Sequence, residues 1–153
     1  MEMVQGREQR RLAAILAIDV VGYSTLVGRD ESGTLAAVRS RREQILKPLA
    51  RAHQGRIFKL IGDGALLEFP SAVDAVRCAV ELQDAMADAN RDLPVSARIV
   101  VRMGISVGDV VVEGRDLLGE SVNLAARLEA IAPPGGIVVA AAVYDQVRRK
   151  VAC

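Results

Sequence analysis

Two carboxylates stand where chemistry could be done. Asp19 closes the apolar run 12–18, and Asp63 sits between Gly62 and Gly64. A short run with no polar residue reads as a buried central strand. An Asp-Gly turn between the strand-like runs 56–61 and 65–69 reads as a hairpin tip. The two carboxylates converge if strand and hairpin are neighbours in one sheet. Two bare carboxylates about 4 Å apart repel by roughly 4 kcal/mol at an effective dielectric of 20, a cost that a divalent cation removes. Asp without His or Cys suits Mg²⁺ or Mn²⁺. His53, the single His, lies in a helical stretch with no His or Cys at ligand spacing, which argues against zinc. After Asp19, the run Val20, Val21, Gly22, Tyr23, Ser24 supplies successive amides at a turn into a helix, and Gly22 lets a ligand come close. Such a turn is a natural phosphate cradle. Metal carboxylates beside phosphate amides point to chemistry on a nucleoside triphosphate. Taken singly, Asp19 also reads as a helix N-cap and Asp63 as an ordinary turn residue. No Gly-x-x-x-x-Gly-Lys motif is present, so spacing alone stops at a metal–triphosphate hypothesis.

The elements that must position these residues follow from periodicity. The stretch 32–53 is helical with Leu35, Val38, Ile45 and Leu49 on one side, kinked or divided by Pro48 and ended by Gly55. Ser71 and Asp74 form a capping box for a helix through Met86, with Val73, Val76, Ala79 and Val80 on its apolar face. The runs 99–107 and 110–113 predict a second hairpin around Gly108-Asp109. Residues 119–131 predict a helix with Leu124 and Leu128 inward, stopped by Pro133-Pro134-Gly135-Gly136; a strand over 137–141 and a helix over 143–150 follow. Strand pairs separated by helices predict an α+β fold of ferredoxin-like, palm-like type: one mostly antiparallel sheet with helices on one face.

Composition narrows the partners. The 153 residues fit one domain able to bury a core without staples. Apolar residues make up 51% and aromatics 3%, so the core is aliphatic and stacking on single-stranded nucleic acid is disfavoured. A net charge of +1 points to no polyanion, and the cluster Arg39, Arg41, Arg42 reads as a solvated helix face. Cys78 falls on an apolar stripe; with Cys153 it makes no disulfide framework. The apolar runs are too short to cross a membrane, and no secretory signal is legible. The expectation is a cytoplasmic domain, alone or within a longer chain carrying regulatory domains.

Three ordered motifs say more. Ala17-Ile18-Asp19-Val20-Val21-Gly22-Tyr23-Ser24, then Lys59-Leu60-Ile61-Gly62-Asp63-Gly64, then Asp116-Leu117-Leu118-Gly119-Glu120-Ser121-Val122-Asn123-Leu124-Ala125-Ala126-Arg127-Leu128-Glu129 resemble the class III nucleotidyl cyclases, the adenylyl and guanylyl cyclase catalytic domains. The resemblance runs over about residues 12–147. It implies metal ligation by Asp19 and Asp63, with the Val20 carbonyl as a further ligand. It implies adenine reading by Lys59 and Asp116, and puts Asn123 and Arg127 on the ribose and triphosphate in the transition state. Adenine offers an N6 donor and an N1 acceptor, which an Asp and a Lys match; guanine presents the reverse. Asn123 and Arg127 are four apart and share a helix face.

The resemblance also implies the reaction: attack of the ribose 3′-oxygen of ATP on the α-phosphorus with two Mg²⁺ or Mn²⁺ ions per site, giving 3′,5′-cyclic AMP and pyrophosphate. Family sites lie at a head-to-tail dimer interface, one protomer giving the Asp pair and the other the purine and transition-state residues. This chain carries both halves, so a homodimer is expected, with Lys59 and Asp63 serving opposite sites. Residues 1–11 read as a polar, basic lead and 12–153 as the catalytic domain, without the family's final strand pair. The rival readings are a guanylyl or promiscuous cyclase, disfavoured by Lys59 and Asp116, and a diguanylate cyclase, whose Gly-Gly-Asp/Glu-Glu-Phe signature is missing around residues 62–65. A non-catalytic nucleotide-binding regulatory module is the rival of another class.

Overall fold

A computed structural model describes residues 9–151. The chain runs β1 (Gln9–Val20), α1 (Tyr23–Arg29), α2 (Glu31–Arg41), a π-helical turn (Arg42–Leu46), α3 (Lys47–Ala52), β2 (Arg56–Ile61), β3 (Gly64–Phe69), α4 (Ala72–Asn90), β4 (Val101–Glu113), β5 (Asp116–Leu118), α5 (Glu120–Ala130), β6 (Ile137–Val139) and α6 (Ala141–Val147). The sheet order is β2-β3-β1-β4-β5, all antiparallel, and β6 pairs parallel to β4 at Met103–Ile105. This is the expected α+β sheet. Its central strand β1 is longer than the apolar run suggested, because Gln9–Arg11 continue the ladder against Val112–Val110.

One layer differs from expectation. Alternation along β1 sends Ala14, Leu16 and Val20 into a core shared with α3, α4 and α6, while Ala13, Ile15 and Ala17 face the other way, toward Val110, Leu117 and Ala125. Helix α5 therefore covers the opposite face, and helices lie on both. Its approach is very close: a Cβ on Gly104 would meet the Glu129 nitrogen at 2.3 Å, and one on Gly108 the Ser121 hydroxyl at 2.3 Å. That explains why Gly108-Asp109 is no turn. The pair lies inside β4, opposite Ala13 and Leu12, and the chain reverses instead at Gly114-Arg115. Ala125 is the residue α5 buries, whereas Leu124 and Leu128 are half-buried.

Other local differences have simple causes. Pro48 has no N–H for a regular helical bond, and the stretch takes it up with a π turn just before Pro48, inside otherwise continuous helical backbone. Helix α4 starts as predicted, with Ser71 Oγ accepting from the Asp74 N–H at 3.1 Å and donating to Asp74 Oδ2 at 3.0 Å. It buries Ala72, Ala75, Val76, Cys78, Ala79, Leu82 and Met86; Val80 points outward. The helix runs on to Asn90, whose amide both donates to and accepts from the backbone of Ile99. Burial pushes the Cys78 thiol up to about 12, so it is an inert hydrophobe. Cys153 lies outside the described residues, as do residues 1–8 of the basic lead. Among the described residues no helix is long and apolar enough to cross a membrane.

Candidate active site

β1 and β3 are neighbours, so Asp19 at the end of one and Asp63 at the turn into the other converge as expected. The Val20 N–H is shared between them, 3.0 Å from Asp19 Oδ1 and 2.9 Å from Asp63 Oδ2. Burial, then the hydrogen bond and charge of Asp63, then the charge of Glu129, raise the Asp19 carboxyl to about 7. The pair thus holds a proton near neutral pH where a cation would serve better. Among the described residues no group of three or more His, Cys, Asp or Glu could enclose a metal. Two carboxylates that leave the remaining positions to phosphate and water match how Mg²⁺ is usually held, and the donor set fits.

The hairpin's approach depends on Gly64. A Cβ there would lie 2.5 Å from the Ile18 carbonyl and 3.3 Å from Asp19 Oδ1. The strand backbone cannot yield, so Gly64→Ala should push the hairpin off β1. The expected cost is about 1–3 kcal/mol of stability, with Mn²⁺ affinity down roughly 10- to 100-fold as Asp63 is displaced. Thermal melting and calorimetric titration check both.

The phosphate cradle is smaller than the sequence suggested. The Val21 N–H is committed to the Val100 carbonyl at 2.8 Å. Gly22, Tyr23 and Ser24 lead into the first turn of α1, with Gly22 in the left-handed region at φ 64°.

Two residues near the carboxylates were not foreseen. Arg102 lies directly across β4 from Asp19, so their side chains share a face. Its Nε is buried with no hydrogen-bond partner among the described residues, an unmet donor beside a triphosphate-type site. The sequence signal was a cation inside an otherwise apolar strand. Glu129 rides on α5 above Gly104. Burial raises its carboxyl, the Arg102 charge opposes that rise, and Asp63 adds to it.

Lys59 and Asp116 are also brought together, Nζ to Oδ2 at 3.2 Å. β2 and β5 are the two ends of the strand order, yet the sheet curls until they touch. Asn123 and Arg127 share the outer face of α5, both exposed. Arg127 has only a loose 3.9 Å approach to Glu120 and keeps 63% of its side chain exposed. No hydrogen bond or ion pair among the described residues joins the Asp pair, the Lys59–Asp116 pair and the Asn123–Arg127 face.

The arrangement has close counterparts. The model of the adenylate and guanylate cyclase catalytic domain matches residues 7–152. Putative adenylate cyclase 3 of Rhizobium meliloti (strain 1021) is 54% identical over 139 residues, 91% of this chain and 24% of that protein. An adenylate cyclase of Streptomyces coelicolor is 34% identical over 140 residues, 92% of this chain and 35% of its own. The chain thus spans a quarter to about a third of these curated relatives. The crystal structure of an adenylate/guanylate cyclase/hydrolase from Silicibacter pomeroyi superposes with a TM-score of 0.90 at 42% identity, covering 95% of this chain and 85% of that one. An adenylyl cyclase from P. aeruginosa, at 22% identity and a TM-score of 0.83, shares the fold, covering 96% of this chain and 85% of its own. With the fold, the converging carboxylates and a match over nearly all its length, the chain belongs to the adenylate and guanylate cyclase catalytic domain family.

Proposed function

We propose that this domain converts ATP to 3′,5′-cyclic AMP and pyrophosphate in a head-to-tail homodimer. The observation that carries the substrate is the Lys59–Asp116 pair, a donor and an acceptor held side by side at 3.2 Å. Lys59 donates to adenine N1 and Asp116 accepts from the N6 amino group. Guanine's O6 acceptor and N1 donor would oppose that order, and a site built on hydrogen bonds rejects such a mismatch strongly. This disfavours the guanylyl reading.

Asp19 and Asp63, with the Val20 carbonyl, would hold two Mg²⁺ or Mn²⁺ ions. Bound there, the ions would lower the pKa of the ribose 3′-hydroxyl and offset phosphate charge. The Gly22, Tyr23 and Ser24 amides receive the phosphate tail, and Arg102 adds a fixed positive charge beside it. Asn123 orients the ribose. Arg127 neutralises the charge that builds on the α-phosphoryl oxygens. The 3′-oxygen–phosphorus bond forms as the bond from the α-phosphorus to its bridging oxygen breaks. Pyrophosphate takes that electron pair, and the 3′-hydroxyl proton passes to water.

Asn123 and Arg127 stand exposed on α5 with no hydrogen bond or ion pair to the Asp pair of their own chain, which supports a shared site. Leu60, Ile61 and Leu118, exposed apolar residues beside Lys59 and Asp116, supply apolar surface for a second copy. A cytoplasmic setting follows from ATP as the substrate, and control by further domains of a longer parent chain fits the share of its relatives that this chain spans.

The test is direct. Purified protein with Mn²⁺ or Mg²⁺ and either ATP or GTP is assayed for cyclic nucleotide. Cyclic AMP should exceed cyclic GMP, and Asp63→Ala should abolish both. Nucleotide binding without product at any protein concentration would favour the regulatory-module reading.

A further inference from the structure

Lys59 reaches Asp116 because two irregularities coincide. The first is a bulge in β2. Arg56 pairs with Glu68 and Ile57 with Leu67, but Lys59 then pairs with Leu66, leaving Phe58 as an extra residue. Phe58 packs with Leu66 on the α5 side of the sheet, and Ile57 packs on the other side. In an unbroken strand Lys59 would follow Ile57 to the side of α3 and α4; the extra residue turns it to the α5 side. The second irregularity is the curl that carries the β4–β5 turn to β2.

Arg56 touches both. Its Nε donates to Glu68 Oε1, and its Nη2 donates to the Arg115 carbonyl at 3.3 Å, one residue before Asp116. Its guanidinium lies 6.0 Å from the centroid of the Phe58 ring. Glu68 is only 7% exposed, and Arg11 Nη2 also donates to its Oε1 at 3.0 Å. A carboxylate so buried, with two guanidiniums on it, is a fixed post. One arm of Arg56 is tied to that post and the other to the turn bearing Asp116. Lysine, with a single ammonium, cannot hold both.

We infer that Arg56, anchored by Glu68, is a positioning residue for purine recognition, holding the bulged Lys59 and the Asp116 turn at the spacing adenine requires. The inference rests on the ATP reading above and goes one step past it, since it gives Arg56 the spacing of the purine-reading pair to hold.

Wild type, Arg56→Met, Arg56→Lys, Glu68→Gln and Lys59→Met are compared by calorimetric binding of 3′-deoxy-ATP and 3′-deoxy-GTP with Mn²⁺, by KM and kcat on ATP and GTP, and by thermal melting. Arg56→Met should lose roughly fivefold or more of the ATP-over-GTP preference, with KM for ATP rising by more than kcat falls. Arg56→Lys keeps a charge for Glu68 but loses the arm to Arg115, so it should recover melting temperature without recovering preference. This also serves if Arg56→Met does not fold. A preference kept within about twofold in Arg56→Lys, alongside its loss in Lys59→Met, would overturn the inference while leaving the substrate reading intact. A wild type with no preference for ATP overturns the substrate reading and the inference with it.

Discussion

Equal amounts of the Asp63→Ala and Arg127→Ala chains, each nearly inactive alone, should make cyclic AMP when mixed. Asp63 belongs to the carboxylate pair at the end of β1, and Arg127 to the exposed outer face of α5. If a site draws its carboxylates from one protomer and its α5 face from the other, each homodimer carries two broken sites. A heterodimer concentrates both defects in one site and leaves the other whole. Random pairing makes about half the dimers mixed, each with one good site, so recovery should approach about a quarter of wild-type activity at saturating protein. The comparison is with parents whose loss is expected to be at least about 10²-fold, since each lacks a charge-stabilising group in the transition state. Activity should rise steeply with total protein as dimers form. Absence of recovery in a mixture shown by sedimentation to contain dimers would exclude the shared site.

Asp19→Asn should destroy metal binding and yet make the metal-free protein more stable. The Asp19 carboxyl is raised from 3.8 to about 7, so the folded chain holds that proton more tightly than the unfolded chain does. The resulting stability is present in full below the unfolded value and is lost as pH rises through about 7. At pH 8 the fold therefore carries an Asp19 charge that opposes it. The full linkage value is about 4 kcal/mol, but the site is half open to water, so a gain of about 1–2 kcal/mol is expected. In a domain of this size that is roughly 2–8 °C in melting temperature. In wild type a cation must displace the Asp19 proton. Mn²⁺ affinity should therefore fall about tenfold per pH unit below neutrality and level off above it. Melting at pH 5 and pH 8 with and without Mn²⁺ separates these effects. A variant no more stable at pH 8, or still stabilised by Mn²⁺, would contradict the account.

The same residues explain what could be read in advance. The β1 run, the Gly62-Asp63-Gly64 tip, the Ser71 cap and the turn after α5 are local signals, each set by propensity and period over a few residues. From them the element order and the convergence of Asp19 with Asp63 followed, because a strand end and a neighbouring hairpin tip have few ways to meet. The Gly108-Asp109 misreading has the same origin. A glycine needed for a helix to approach a strand looks like one needed for a turn until the helix is in place.

What the sequence by itself determined was the chemistry on offer: two carboxylates for a cation, a donor–acceptor pair for a purine, and an Asn and an Arg on one helix face. Periodicity placed each of them on its element. The tertiary structure decided which of them meet. Only the curl of the sheet brings β2 to β5 and Lys59 to Asp116, and only the bulge at Phe58 turns Lys59 to that side. Only the placing of α5 on the face away from α4 brings Glu129 near the Asp pair while leaving Arg127 exposed, with no ion pair to either Asp. Sheet curl and helix placement are sums over many long-range contacts, whereas propensity and period act over a handful of neighbours along the chain. That is why Asp19 and Asp63 could be paired from the sequence, while the joint that holds the purine pair could not.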